Sequence, residues 1–94
     1  MSILAQSLKS FFRYMRKLKL IWDFRGPTAK KTAEHHLIHL KEYIEIEKLN
    51  ISITGIEDLS NMHSLAYLVV DEASMKPIRD ALKPHRGQVY QDLK

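Results

Sequence analysis

Leu65-Ala66-Tyr67-Leu68-Val69-Val70 is the longest apolar run in the chain, and its reading decides the fold. Six residues make a strand, far short of the roughly 20 that a membrane helix needs. Alternation places Leu65, Tyr67 and Val69 on one face and Ala66, Leu68 and Val70 on the other. Both sets are apolar, so the strand is read as buried on both sides.

Upstream, residues 17–24 repeat the period-2 pattern, with Leu18, Leu20, Trp22 and Phe24 alternating against Lys19, Ile21 and Asp23. Gly26-Pro27 breaks that strand and opens a helix, because proline is tolerated in a first turn. The helix is read over residues 28–48, with Ala33, Leu37, Leu40 and Ile44 as its apolar stripe. His35, His39, Glu42 and Ile46 fall on its opposite face. A further strand is expected near residues 51–56, where Gly55 suggests a bulge. Residues 57–63 read as a polar connection.

Downstream of the apolar run, Asp71-Glu72-Ala73-Ser74 caps a second helix that reaches about residue 83. With Ser74 as N-cap, Pro77 falls in the first turn. Met75, Ile78, Ala81 and Leu82 form its expected buried stripe. Pro84 and Gly87 end it, and a last strand is expected over residues 88–93. The order is β-α-β-β-α-β, the split βαβ pattern, in an α+β chain. It predicts a four-stranded antiparallel sheet with two helices on one face.

Ninety-four residues suit one domain. There are no cysteines, which excludes thiolate metal sites and cysteine nucleophiles. A disulfide-free domain this small points to a reducing compartment, hence the cytoplasm. Charge is uneven. Residues 1–31 hold eight basic residues against Asp23 alone, whereas residues 32–94 hold seven basic and ten acidic. That asymmetry argues against a nucleic-acid surface spread over the whole domain.

Residues 1–16 read as an amphipathic N-terminal extension, ahead of a domain over residues 17–94. Leu4, Leu8, Phe11, Phe12 and Met15 follow helical spacing, and no acidic residue precedes Asp23. Three readings compete: a helix docked on the domain or on a partner, a transit peptide in residues 1–14 that would place the protein in an organellar matrix, or a start-site artefact with Met15 as the true start.

In a two-layer sandwich the second face of the sheet points to water, yet the central run is apolar there too. A second subunit is the economical cover, so a homodimer is expected. The N-terminal helix and an uncovered apolar strand are the alternatives. Leu68 and Val69 project to opposite faces, so lysine at one should unfold the domain and lysine at the other should leave a folded monomer.

The pattern resembles the ferredoxin-like superfold, and its two-sided third strand is similar to dimeric α/β-barrel and ACT-type domains. Trp22-Asp23-Phe24-Arg25-Gly26-Pro27, with Thr32-Ala33-Glu34-His35-His36 and His39-Leu40, resembles a small bacterial family of unassigned function over residues 15–94. The superfold implies no activity by itself.

Three chemistries remain open. The first is a binding or regulatory module for a small molecule or protein partner, with Trp22, His36, Tyr43 and Tyr67 lining a site at the dimer or helix–sheet junction. The second is a metal module. His35 and His39 are one helical turn apart, Glu42 is next along that face, and a Zn, Ni or Cu ion would draw further ligands from His63, His85 or another subunit. The third, implied by the dimeric-barrel resemblance, is a cofactor-free enzyme in which Asp23 or His36 moves a proton. Nucleic-acid binding is disfavoured, because the central strand lacks the aromatic pattern of an RNA-recognition sheet. Three scattered glycines form no phosphate cradle.

Overall fold

The computed structural model describes residues 16–90. Strand β1 (Lys17–Arg25), helix α1 (Ala29–Ile46), β2 (Thr54–Ser60), β3 (His63–Asp71), helix α2 (Glu72–Leu82) and β4 (Arg86–Tyr90) follow one another in the expected β-α-β-β-α-β order. The strands form one antiparallel sheet in the order β2-β3-β1-β4. Arg16 apart, the N-terminal extension lies outside the described residues. Among those residues no helix is long and apolar enough to cross a membrane.

The central pair β1–β3 runs in unbroken register from Lys17 opposite Asp71 to Arg25 opposite His63. Directly opposed residues share a face. Leu18, Leu20, Trp22 and Phe24 therefore lie with Val70, Leu68, Ala66 and Ser64. This side packs against Leu40 and Ile44 of α1 and Met75, Ile78 and Leu82 of α2. Both helices thus cover the same face. Lys19, Ile21 and Asp23 lie with Val69, Tyr67 and Leu65 on the other.

That second face is not bare. Ile21, Leu65 and Val69 keep only 2%, 3% and 5% of their surface, although none belongs to the helix-side core. The single chain already withdraws them from water. A partner subunit is not needed to hide them, which removes the premise from which the sequence argument reached a sheet-face dimer.

Several boundaries differ from the sequence reading. The second strand begins at Thr54, not near residue 51. Leu49 and Ile51 are apolar because the α1–β2 connection packs against the core, and only the Ile53 carbonyl reaches the sheet, accepting from Val69 N–H at 3.0 Å. The acidic stretch Glu57-Asp58, read as a connection, belongs to the strand. Helix α2 starts at Glu72, so Ser74 is not its N-cap and Pro77 lies inside it. Two contacts to the start of β1 draw this end of the helix back. Glu72 N–H donates to the Arg16 carbonyl at 2.9 Å, and the Glu72 carboxylate pairs with the Arg16 guanidinium. Ala81, expected in the buried stripe, is exposed. The last strand spans Arg86–Tyr90, two residues earlier than read, and residues 91–94 lie outside the described part.

Gly26 closes the β1–α1 corner at φ 110°, a left-handed conformation that side chains resist, and its N–H donates to the Met62 carbonyl at 2.8 Å. The β2–β3 hairpin is thereby tied to the entrance of α1.

Leu68 is fully buried under both helices. Leu68→Lys should lose folded circular dichroism, because its ammonium would be stranded in the core, whereas Leu68→Ala should cost about 2–5 kcal/mol. Val69→Lys should stay folded, since a lysine stem can run along the second face to water. Urea titrations followed by far-ultraviolet circular dichroism check all three.

Candidate functional site

The residues read as a binding site divide between the two faces. On the helix side, the His36 ring stands 5.0 Å from Trp22 and 5.4 Å from Phe24, centroid to centroid. Trp22 Nε1–H donates to the Leu82 carbonyl at 2.9 Å, tying β1 to the end of α2. His36 Nε2 is buried with no hydrogen-bond partner among the described residues. Burial lowers the His36 pKa below its ordinary 6.5, and the nearby His39 and His85 push the same way. Tyr43 is half-buried two turns further along α1. Tyr67 opposes Ile21 on the far face, so the sheet itself separates it from Trp22.

The histidines on the outer face of α1 do meet. The His35 and His39 rings stand edge to face at 4.8 Å, and His39 Nδ1 is 3.3 Å from Glu42 Oε1. Further ligands do not converge on them. His63 lies on the far face of the sheet, and His85 Nδ1 accepts from the Asp23 backbone N–H at 2.9 Å. Among the described residues, no three His, Cys, Asp or Glu side chains are grouped to hold a metal ion.

The strongest polar constellation was not foreseen as a unit. Asp23 projects from the second face and keeps 16% of its side-chain surface. Its Oδ1 is 2.8 Å from His63 Nε2. Arg86 Nε donates to Oδ2 at 2.8 Å and Arg86 Nη2 to Oδ1 at 3.2 Å. Arg25 Nη1 stands 3.4 Å from His63 Nδ1. The Arg86 hydrogen bonds, helped by His63 and opposed by burial, hold the Asp23 carboxyl far below the usual carboxylate range. The same bonds raise the Arg86 pKa. An aspartate held this way stays ionised near neutral pH and is a weak proton acceptor, and its hydrogen bonds hold Arg86 and His63 to β1. The only sequence signal was an acid at an alternating position in an apolar strand.

Beside this cluster, Lys19 Nζ lies 4.3 Å from the Tyr67 ring centroid and 2.7 Å from Glu57 Oε1. Tyr67 lies flat over Gly55, where a Cβ would approach its hydroxyl to 2.7 Å. The charges of this face thus neutralise one another across strands, with Lys17 on Asp71 at 3.1 Å as well.

An apolar opening lies elsewhere. Helix α2 sits over β1 and β3 and leaves the helix side of β4 uncovered. The resulting groove has a volume of about 390 Å³. Leu18 and Leu20 form its floor, Gly87 and Val89 its outer edge, and Met75 and Arg79 its α2 wall. A second hollow of about 440 Å³, near Lys30, Asp58 and Ser64, is polar. A third, beside Ile51 and Ile78, measures only about 70 Å³. Trp22, His36, Tyr43 and Tyr67 line none of the three.

The chain matches no protein-family model, no curated protein and no solved structure.

Two acid-dependent losses of stability follow from these environments. The His36 pKa is lower in the folded state, so the unfolded chain takes up its proton first. Stability should fall as pH drops below about 6.5 and level off below the folded value. Asp23 also has a lowered folded pKa, so its contribution is present above about 3.8 and lost as pH falls further. Urea unfolding from pH 8 downward should show the His36 limb in full and, below about pH 3.8, the onset of the Asp23 limb. His36→Phe should abolish the upper limb alone, and Asp23→Asn should lower stability at neutral pH and remove the lower limb.

Proposed function

We propose that this chain is a small binding or regulatory module of ferredoxin-like architecture, acting as a cytoplasmic homodimer. Its ligand is a small molecule with an apolar body and an acidic group, held in the groove between α2 and β4. The observation that carries this reading is the groove itself: a concave, mostly apolar opening of about 390 Å³ at the helix–sheet junction.

The lining supports that ligand chemistry. Leu18, Leu20 and Val89 provide apolar contact, and Met75 adapts to irregular shapes. Arg79 supplies the cation. Among the described residues its side chain pairs with its sequence neighbour Asp80, at 3.4 Å between exposed side chains, whereas the Arg86 guanidinium is committed to Asp23. The ferredoxin-like part of the reading rests on the sheet order and on both helices packing against one face.

The test uses 8-anilinonaphthalene-1-sulfonate, an apolar anion whose fluorescence rises in such grooves. Saturable binding at one site per chain is expected. A Cβ on Gly87 meets only ordinary contacts, Leu20 Cδ2 at 3.5 Å and the Lys19 carbonyl at 3.7 Å. Gly87→Leu should therefore fold, fill the groove and weaken binding at least about tenfold, or 1.4 kcal/mol. Arg79→Gln should weaken it by a smaller factor. A folded Gly87→Leu variant that binds the dye as the wild type does would sink the proposal.

A further inference from the structure

We infer that a second copy of this chain docks along the outer edge of β4, pairing the two β4 strands antiparallel about Gln88 and joining the two grooves into one. This rests on the homodimer reading above and assigns its interface.

The two edges of the sheet differ. β2 carries adjacent acids, Glu57 and Asp58, and a register shift between Asp58 and Ser60, devices that discourage strand addition. β4 has neither. After Arg86, whose guanidinium is tied to Asp23, it runs Gly87-Gln88-Val89-Tyr90 without a charge, a proline or a register shift. Val89 is 46% exposed on the groove side.

Symmetry narrows the register. Two copies of one strand related by a two-fold axis pair so that the numbers of opposed residues have a constant sum. Opposed residues share a face, so that sum is even. One choice pairs all five residues of β4. It sets Arg86 against the partner's Tyr90, Gly87 against the partner's Val89, and Gln88 against the partner's Gln88. No like charges meet. Each exposed valine lies beside a glycine that leaves room for it, and arginine meets an aromatic ring. The sheet becomes eight-stranded, within the usual range. The partner's Val89 then extends the groove floor beyond Gly87, so each binding groove gains a residue from the other copy.

Gln88 is exposed, and it alone faces itself. Gln88→Lys would bring two ammonium groups together across the axis, and Gln88→Glu two carboxylates. Sedimentation equilibrium of the full chain should show a wild-type dimer, at least tenfold weaker association for each variant alone, and restored association when the two variants are mixed. A wild-type dimer that neither variant weakens overturns the β4 interface while leaving the homodimer reading intact. A wild type monomeric at about 1 mM overturns both. Gly87 faces the partner's Val89 in this register, so the groove is tested separately by dye binding to Arg79→Gln, whose helix side chain lies off the β4 edge.

Discussion

The antiparallel pairing of β1 with β3 is the constraint on which the rest of this molecule depends. Nine residues of each strand oppose one another without a shift. A slip of β1 by one residue would exchange its two faces, sending Leu20 and Trp22 away from the helices and Asp23 into the core, while Leu68 on β3 stayed beneath them. Both helices pack on the side this register makes apolar, and both edge strands attach to the pair's outer margins. The same register brings Asp23, on β1, alongside residues of β3 and β4.

The Asp23 cluster works as a brace. A carboxylate in the midst of a sheet face would be costly if left unpaired. Here one aspartate is shared between His63 at the end of β3 and Arg86 at the start of β4. It joins the three strands at the end where β1 turns into Gly26, and the Gly26 N–H in turn holds the β2–β3 hairpin. The lowered carboxyl pKa reports that role. Perturbed acids gather at active sites, but structural ion pairs perturb them equally, and no described cavity includes Asp23. An apolar groove lies instead where α2 fails to reach over β4, next to an edge strand whose described residues 87–90 carry no charge and no proline.

The amino-acid order by itself determined the element types and their succession. The alternation of Leu18, Leu20, Trp22 and Phe24, the two-sided apolar run at residues 65–70 and the Gly26-Pro27 break are local signals, set by strand geometry and by backbone restrictions within a few residues. The stripe of α1 was legible for the same reason, as were the opposed projections of Leu68 and Val69. Tertiary structure decided what depends on distance in the chain. Leu49 and Ile51 have a strand-like composition but pack as a connection, because composition records burial and not hydrogen bonding. Helix α2 was drawn back to Glu72 by Arg16, 56 residues away. Trp22 and Tyr67 parted because the register between two strands, not the order within either, assigns their faces. Asp23, His63 and Arg86 met for the same reason. The groove exists because α2 leaves β4 uncovered, and no local pattern encodes where a helix axis crosses a sheet.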